Sequence, residues 1–529
     1  MRLHFVSAAA MLGCTLSLSL LTACGSDDPV TDPTPTPVTP DSGSDSGSDS
    51  GSTDPVTPSS SAYTEQYRPQ IHYTPAENWV NDPNGMVYVD GTWHLFYQYN
   101  PYGNSWGNMS WGHATSTDLV HWTEQSTALT KDNLGDIFSG SAVVDKQGTA
   151  GFGEGAVVAF YTSSGTCQQQ SMAYSTDQGK TFTKYSSNPV IANSTPRDFR
   201  DPKVFWHEAS QQWVMSLALG YSYGIQFWTS SNLRTWHEAS TFTTDIEACR
   251  HGQWECPDLF PLDYNGQQKW VLIVSVNPGG PIAGSGTMYF IGDFDGKTFT
   301  ADTDLQYPLW LDYGMDNYAG VTWSNAPDGR IILLGWMNNW LYAGNVPCTP
   351  WRSAFTLPRE LTLIDYQGHP LLSSRPVREV DALAGEWQSL QTGTATQSLQ
   401  LGTSSRAAYQ MQLTLTQATT LQLSNAEGEL LEMTYSPSAG RLITKRTTKS
   451  GATTFDGSFS IPSMTAELRN ESASLTLDLY VDQSSIEVFT ANGSCAITNL
   501  VFPTSIYNQL TLSASAQTVR YRTLQSIWQ

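Results

Sequence analysis

The sequence predicts an all-β fold, a five-bladed β-propeller followed by a C-terminal β-sandwich. Three observations lead there. From Tyr63 onward, short apolar runs such as Thr92-Trp93-His94-Leu95-Phe96-Tyr97 and Lys269-Trp270-Val271-Leu272-Ile273-Val274 are cut by Gly, Asn, Asp and Pro. Period-2 runs so divided are the mark of antiparallel strands, and no long amphipathic helix pattern competes with them. A turn-then-aromatic element also recurs: Ser116-Thr117-Asp118-Leu119-Val120-His121-Trp122, then Ser175 to Phe182, Ser230 to Trp236 and Asp293 to Phe299, with closing aromatics 60, 54 and 63 residues apart. Periods of this size in an all-β chain fit propeller blades of about four strands each. After Leu363 the recurrence stops while alternation continues, as in Leu399-Gln400-Leu401 and Ser474-Leu475-Thr476-Leu477-Asp478-Leu479. Short strands without the repeat point to a sandwich beside the ring.

The segments divide in order. Residues 1–24 read as a secretory leader: Arg2 and His4 precede an apolar stretch from Phe5 to Leu20, too short for an ordinary membrane span. The leader ends in Leu21-Thr22-Ala23-Cys24, which resembles the lipobox of bacterial lipoproteins and marks Cys24 for lipidation. Residues 25–62 are Pro, Thr, Ser, Gly and Asp with hardly an apolar side chain. Such a segment cannot bury enough surface to offset its backbone entropy and reads as a flexible linker. The propeller is expected over 63–370 and the sandwich over 371–529. A lipid anchor followed by a solvated spacer places the folded body at the bacterial cell envelope, facing the periplasm or the outside, with the membrane touched only through the lipid.

Bulk chemistry excludes several classes. A net charge of −22 argues against nucleic acid, whose phosphates would be repelled. The 18 Trp are core filler in a large β protein and can also serve as platforms for sugar rings. Without Cys14 and Cys24, five cysteines are left, with no CxxC pair, and the nine His form no HExxH or similar cluster. No metal site and no cofactor are expected.

Three acidic motifs share the phase of the repeat: Asn81-Asp82-Pro83-Asn84-Gly85, Arg200-Asp201-Pro202 and Glu255-Cys256-Pro257, with carboxylates 119 and then 54 residues apart. Extended to five blades, the ruler runs Asp82, Ser141, Asp201, Glu255, Asp316, with Ser141 and Asp316 the looser members. Equivalent positions in successive blades lie at equivalent radii, so these residues should face one axial pocket. Any one Asp-Pro or Asn-Gly is most often only a turn; it is the shared phase that argues for a site. Carboxylates gathered in one concavity suit glycosidic bond cleavage, which needs an acid for the leaving oxygen and a carboxylate opposite it. Asp82 sits on a corner stiffened by Pro83 and permitted by Gly85, as suits a nucleophile. Glu255 reaches further, and the charge of Asp82 should keep it protonated. Arg200 should hold Asp201 ionised, fit for binding sugar hydroxyls.

These motifs, in this order and spacing, resemble glycoside hydrolase family 32, the β-fructofuranosidases. The likeness runs from His72 to the end. It includes Phe96-Tyr97-Gln98-Tyr99-Asn100-Pro101, Trp106 to His113, Phe138-Ser139-Gly140-Ser141, Pro358-Arg359-Glu360-Leu361-Thr362 and Asp482 to Phe489. The resemblance implies a five-bladed propeller plus sandwich, Asp82 as nucleophile, Glu255 as acid/base and Asp201 as transition-state stabiliser. It also implies that Asn81, Gln98, Trp106, Phe138, Ser139, Arg200 and Trp336 line the fructose pocket. Gly335-Trp336-Met337-Asn338-Asn339-Trp340 is similar to bacterial levanases and exo-inulinases. A retaining enzyme releasing fructose from the non-reducing ends of levan and inulin, and from sucrose, is therefore expected. A fructosyltransferase or invertase-type enzyme acting mainly on sucrose is the alternative, and a surface fructan-binding protein the non-enzymatic one.

Overall fold

The computed structural model describes residues 63–195, 198–402, 406–469 and 473–528, all within one compact unit, Thr53–Gln529. Cys24 and the segments 1–24 and 25–62 lie outside the described residues. Among those described, helix is confined to short 3₁₀ turns, the longest being Arg378–Leu383. The all-β class predicted from the period-2 runs is the class observed.

Five sheets follow one another along the chain. Their first strands are Asn78–Val89, Asp136–Asp145, Arg200–His207, Gln253–Tyr264 and Tyr318–Thr322. Each begins an antiparallel sheet of four main strands, with short extra strands added to the first, fourth and fifth. The first strands neighbour one another in chain order, and the fifth returns to the first. Trp351–Arg352 pairs parallel to Asn78–Trp79, tying the late chain back to its start.

The cores explain this closure. Alternate residues of a strand face opposite sides, so each sheet feeds two interfaces. Val271 packs with Phe260, Leu333 and Leu361 between the fourth and fifth sheets. Its neighbour Leu272 packs with Leu259, Val214 and Phe227 between the third and fourth. Val87, Trp111 and Val157 fill the gap between first and second, and Phe160, Met172, Val204 and Met215 that between second and third. Leu334, Trp336, Val80 and Tyr97 close the last gap.

The recurring turn has a local cause. Asp118 Oδ1 accepts from the backbone N–H of Val120 and His121, Asn232 Oδ1 from Arg234 and Thr235, and Asp295 Oδ1 from Lys297 and Thr298. Short polar side chains that bond their own backbone fold the chain without outside help. In two of these turns the closing indole then bonds back, from Trp122 to the Leu119 carbonyl and from Trp236 to that of Leu233.

Beyond Arg378, two six-stranded sheets share a separate core, with Met411, Leu413, Leu477 and Leu479 from one and Leu421, Leu423, Leu431 and Met433 from the other. Buried ion pairs join them to the ring. Arg446 Nη1 lies 2.7 Å from Asp316 Oδ2, and His72 bridges Asp482 at 2.7 Å and Glu487 at 2.8 Å.

Candidate active site

Every first strand of the ring breaks register with its neighbour at the same depth. The irregularities fall between Val80 and Pro83, Ile137 and Gly140, and Glu255 and Asp258. The other two lie at Asp201-Pro202, where the partner strand steps from Ser216, opposite Lys203, to Ala218, opposite Arg200, and between Tyr318 and Val321. A bulge adds a residue, bends the strand and re-aims a side chain. Asp201, Cys256 and Ala319 accordingly have positive φ of 63°, 46° and 52°. Pro83, Pro202 and Pro257 stand in these bulges because proline, lacking an N–H, is tolerated where a ladder bond is already missing. Gly85, at φ 58°, completes the first corner; a Cβ there would meet Trp111 at 2.5 Å.

Five bulges thus converge on one site. Asp82 Oδ2 accepts from Ser139 Oγ at 2.6 Å, and Asp82 Oδ1 accepts from Asn81 Nδ2 at 3.1 Å. Asp201 Oδ2 accepts from the backbone N–H of Cys256 at 2.9 Å. The Cys256 thiol lies between the two aspartates, 3.5 Å from Asp82 Oδ2 and 3.6 Å from Asp201 Oδ2. Glu255 Oε1 accepts from Arg200 Nη2 at 2.8 Å and Nε at 3.2 Å, while Oε2 accepts a short bond from the Tyr318 hydroxyl. Asp82 and Glu255 are half-buried and Asp201 is buried, so the first two are the more accessible acids.

Burial dominates the electrostatics. It raises the Asp82 carboxyl above the ordinary range against the bond from Ser139, and the charge of Glu255 adds to the rise. Burial likewise pushes Asp201 up to about 7, opposed by Arg200 and helped by Glu255 and Asp82. The expectation that Arg200 simply keeps Asp201 ionised is corrected here. The guanidinium reaches past Asp201, 3.9 Å away at Nε, to Glu255 and to Asp198 at 2.8 Å. The Cys256 thiol is held well above its usual range, first by burial and then by the acids around it, so it sits protonated between them.

Other expected residues are found in graded positions. Gln98 is buried and donates to the Ile137 carbonyl at 3.0 Å, bracing the second bulge. Trp106 is 50% exposed and stands edge-on to Phe138 at the rim. Trp336 is fully buried against Trp79, Trp340 and Tyr318, so it backs the site through them. Ser141 accepts from Val204 N and donates to the Pro202 carbonyl, anchoring the third bulge from behind. Asp316 is corrected: it bonds Arg446, Tyr342 and the Leu500 N–H at the junction with the second domain. The fifth bulge presents Tyr318 instead.

Sequence reasoning missed Tyr318 and the Cys256 side chain, along with Asp198 and Gln168, which hold Arg200 Nη1 at 2.8 and 3.1 Å. Cys256 stood inside a quoted motif, and the proline after it was the available sign of a bulge. Among the described residues no group of His, Cys, Asp and Glu is arranged to hold a metal.

Comparison with known proteins follows the same division of the chain. Residues 72–375 match the glycosyl hydrolases family 32 N-terminal domain, and residues 379–529 match the family's C-terminal domain. A levanase of Bacillus subtilis (strain 168) is 44% identical over 482 residues, covering 88% of this chain and 71% of the levanase. An extracellular exo-inulinase of Aspergillus niger is 38% identical over 491 residues, covering 84% of this chain and 91% of its own. The crystal structure of an exo-inulinase from Aspergillus awamori superposes with a TM-score of 0.80 at 35% identity, covering 88% of this chain and all of that one.

Proposed function

The chain belongs to glycosyl hydrolases family 32, and on that premise we propose that it is a retaining, exo-acting hydrolase of β-fructans. That it is a β-fructofuranosidase-type glycosidase, acting on fructans or sucrose, follows from the family and its relatives. The manner of attack and the role of each residue are our reading, as is the view of the five sheets as propeller blades followed by a sandwich. The observation that carries it is the convergence of five bulges, which brings Asp82 and Asp201 to the Cys256 thiol with Glu255 beside them.

In this mechanism Asp82 attacks the anomeric carbon of a terminal fructose while Glu255 gives its proton to the departing glycosidic oxygen. The bond from carbon to that oxygen breaks as the bond to Asp82 forms. Glu255, now a carboxylate, takes a proton from water; the water oxygen attacks the same carbon and frees Asp82. Two inversions leave the configuration unchanged. Ser139, Asn81 and the Cys256 thiol aim the Asp82 oxygens, Arg200 and Tyr318 aim Glu255, and Asp201 grips the fructose hydroxyls. Gln98, Trp106, Phe138 and Trp336 shape the pocket around the ring, directly or from behind.

Attack at chain ends is supported by what lies beneath the acids. Lys203 Nζ donates to the Thr322 carbonyl at 2.6 Å and pairs with Asp258 at 2.8 Å, all three buried. This cross-brace stops the pocket from running through the ring, so polymer cannot continue past the fructose that fills it. Levan, inulin and sucrose should all yield fructose from the first minutes. Chromatography of early products checks this, and a ladder of intermediate fructo-oligosaccharides would overturn exo attack. For the N-terminal segment the proposal is lipidation at Cys24, holding the enzyme at the cell envelope by the 25–62 spacer. Cys24→Ser should move activity from the membrane fraction to the soluble one.

A further inference from the structure

The ring has a second mouth. Ser139, Asp201 and Tyr318 stand near the starts of their first strands, and Val87 bridges Ser324 in parallel, as strands running one way around a ring do. Where these strands end lies a hollow of about 410 Å³, lined by Val143 and Val144 of the second sheet, Phe205 and Trp206 of the third, and Ser324 and Asn325 just beyond the first strand of the fifth. The fifth first strand neighbours the first and the fourth, so a hollow it shares with the second and third lies across the axis. The buried Lys203, Asp258 and Thr322 separate this hollow from the acids: Lys203 comes two residues before Phe205, and Thr322 two before Ser324. It is a site of its own.

Its walls are held from within. Asp145 accepts from Thr149 Oγ1 at 3.0 Å and from Ala150 N at 2.7 Å, which folds the turn after the second sheet's first strand. Thr149 Oγ1 in turn accepts from the Trp213 indole at 2.9 Å. Trp213 lies opposite Trp206 in the ladder, and the two rings meet in a T with centroids 5.2 Å apart. The Trp206 N–H is taken by Glu208 Oε2 at 2.8 Å. Both indoles thus bond within the protein, and the half-buried Trp206 offers ring surface to the hollow. Asn325, at φ 59°, donates to the Tyr88 carbonyl at 2.8 Å and is fixed at the rim. Gln147 and Glu208 stand exposed there too. An aromatic face ringed by amides and a carboxylate suits a sugar, whose C–H face packs on the ring while its hydroxyls bond the polar groups. A net charge of −22 disfavours acidic polymers and leaves an uncharged one as the occupant.

We propose that this mouth is a second fructan-binding site that does no chemistry, in which Trp206 carries a sugar ring and Glu208, Gln147 and Asn325 take its hydroxyls. This rests on the fructan reading above. A polymer held here keeps its chain ends near the catalytic mouth, since a second linked contact raises their effective concentration. Sucrose fills one site at a time and gains nothing. The test compares Trp206→Ala and Glu208→Ala with the parent, as full chains, on levan and on sucrose. KM for levan should rise about tenfold in Trp206→Ala, within the gain that linked contacts supply, and less in Glu208→Ala, with kcat kept. The sucrose constants should not move in either. In a gel containing levan, the Asp82→Ala chain should be retarded, and adding Trp206→Ala should remove most of the retardation. Glu208 is exposed, so its variant keeps the test decisive should Trp206→Ala unfold. Levan constants and retardation that stay unchanged, or equal changes on levan and sucrose, would overturn the site. A parent protein idle on both substrates would overturn the functional reading instead.

Discussion

Two clusters of buried carboxylates in this protein are made of the same residue types and behave in opposite ways. At the junction of the two domains, Glu487 meets both Arg359 and His72, and Asp482 takes His72 together with the backbone N–H groups of Gln70 and Ile71. Burial alone would raise Glu487, but Arg359 and His72 hold it at about 2. At the axial site one arginine serves Glu255 and Asp198 at 2.8 Å and lies 3.9 Å from Asp201, while Asp82 has only hydrogen bonds. There burial prevails and both aspartates are raised. Fully paired acids join two bodies; acids short of counter-charge stay poised to react with something else. What separates the two roles is the number of cations supplied, together with exposure: the junction acids are fully buried, whereas Asp82 and Glu255 are half-buried.

The sharpest break of this comparison exchanges loss of turnover for loss of stability. Asp82→Ala and Glu255→Ala should each lower turnover on fructans by about 10⁴-fold or more, since each removes half of the double displacement proposed above, while thermal unfolding shifts little. Glu255→Ala should recover on fructosides with good leaving groups, which need no proton; Asp82→Ala should not. Glu487→Gln should do the reverse. Leaving Arg359 and His72 underpaired should cost about 3–5 kcal/mol of stability, read by denaturant unfolding, with turnover of the folded fraction kept. A silent Glu487→Gln in both assays would mean that the junction charges do not hold the domains together.

The two clusters were unequally legible in the sequence. The acids of the axial site stood out because Asp82, Asp201 and Cys256 each precede a proline, and proline after an axis-facing residue is the chemical trace of a bulge. The repeating sheets stood out because each turn is folded by its own Asp or Asn. The fifth position did not: counting on from Glu255 gives Asp316, but a bulge inserts a residue, and no proline marks the one at Ala319-Gly320. Arg200 was read through its neighbour Asp201, whereas successive residues of a strand face opposite sides. The junction left no pattern, since His72 and Glu487 are 415 residues apart. Asp482 to Phe489 could be noticed only as part of a resemblance, and its acids act on the fold.

His72 sharpens the comparison by pH. Burial alone would depress the imidazole, but the bonds and charges of Asp482 and Glu487 outweigh it and raise it from 6.5 to about 9. A raised base adds stability that is complete below its unfolded value and is lost as pH climbs through the folded one. The parent should therefore weaken between about pH 6.5 and 9, by up to about 3 kcal/mol from this group. His72→Gln should start weaker and lose less across that window. Parallel unfolding curves for the two proteins would show that His72 is not charged at the junction.

A pH effect of the opposite sign belongs to the axial site. Asp201 is raised from 3.8 to about 7, by burial first and then by Glu255 and Asp82 against Arg200. The folded state therefore binds that proton more tightly than the unfolded chain does. Stability is lost as pH rises from about 4 to 7, and the cost is complete above 7. Asp201→Asn keeps the shape and the bond from Cys256 N while removing the charge, so it should abolish this cost. At pH 8 the variant should melt higher than the parent, by about 2–4 °C for each kcal/mol released. The gain should shrink through pH 6 and vanish below pH 4, where the parent's carboxyl is protonated in both states. The same substitution should slow fructan hydrolysis, since an amide grips the fructose hydroxyls less strongly than a carboxylate that sharpens its hold as charge develops in the ring. Stability gained and activity lost at one atom is what an acid kept short of counter-charge requires. A variant less stable than its parent at every pH would place Asp201 with the paired acids of the junction and remove the distinction between the two clusters.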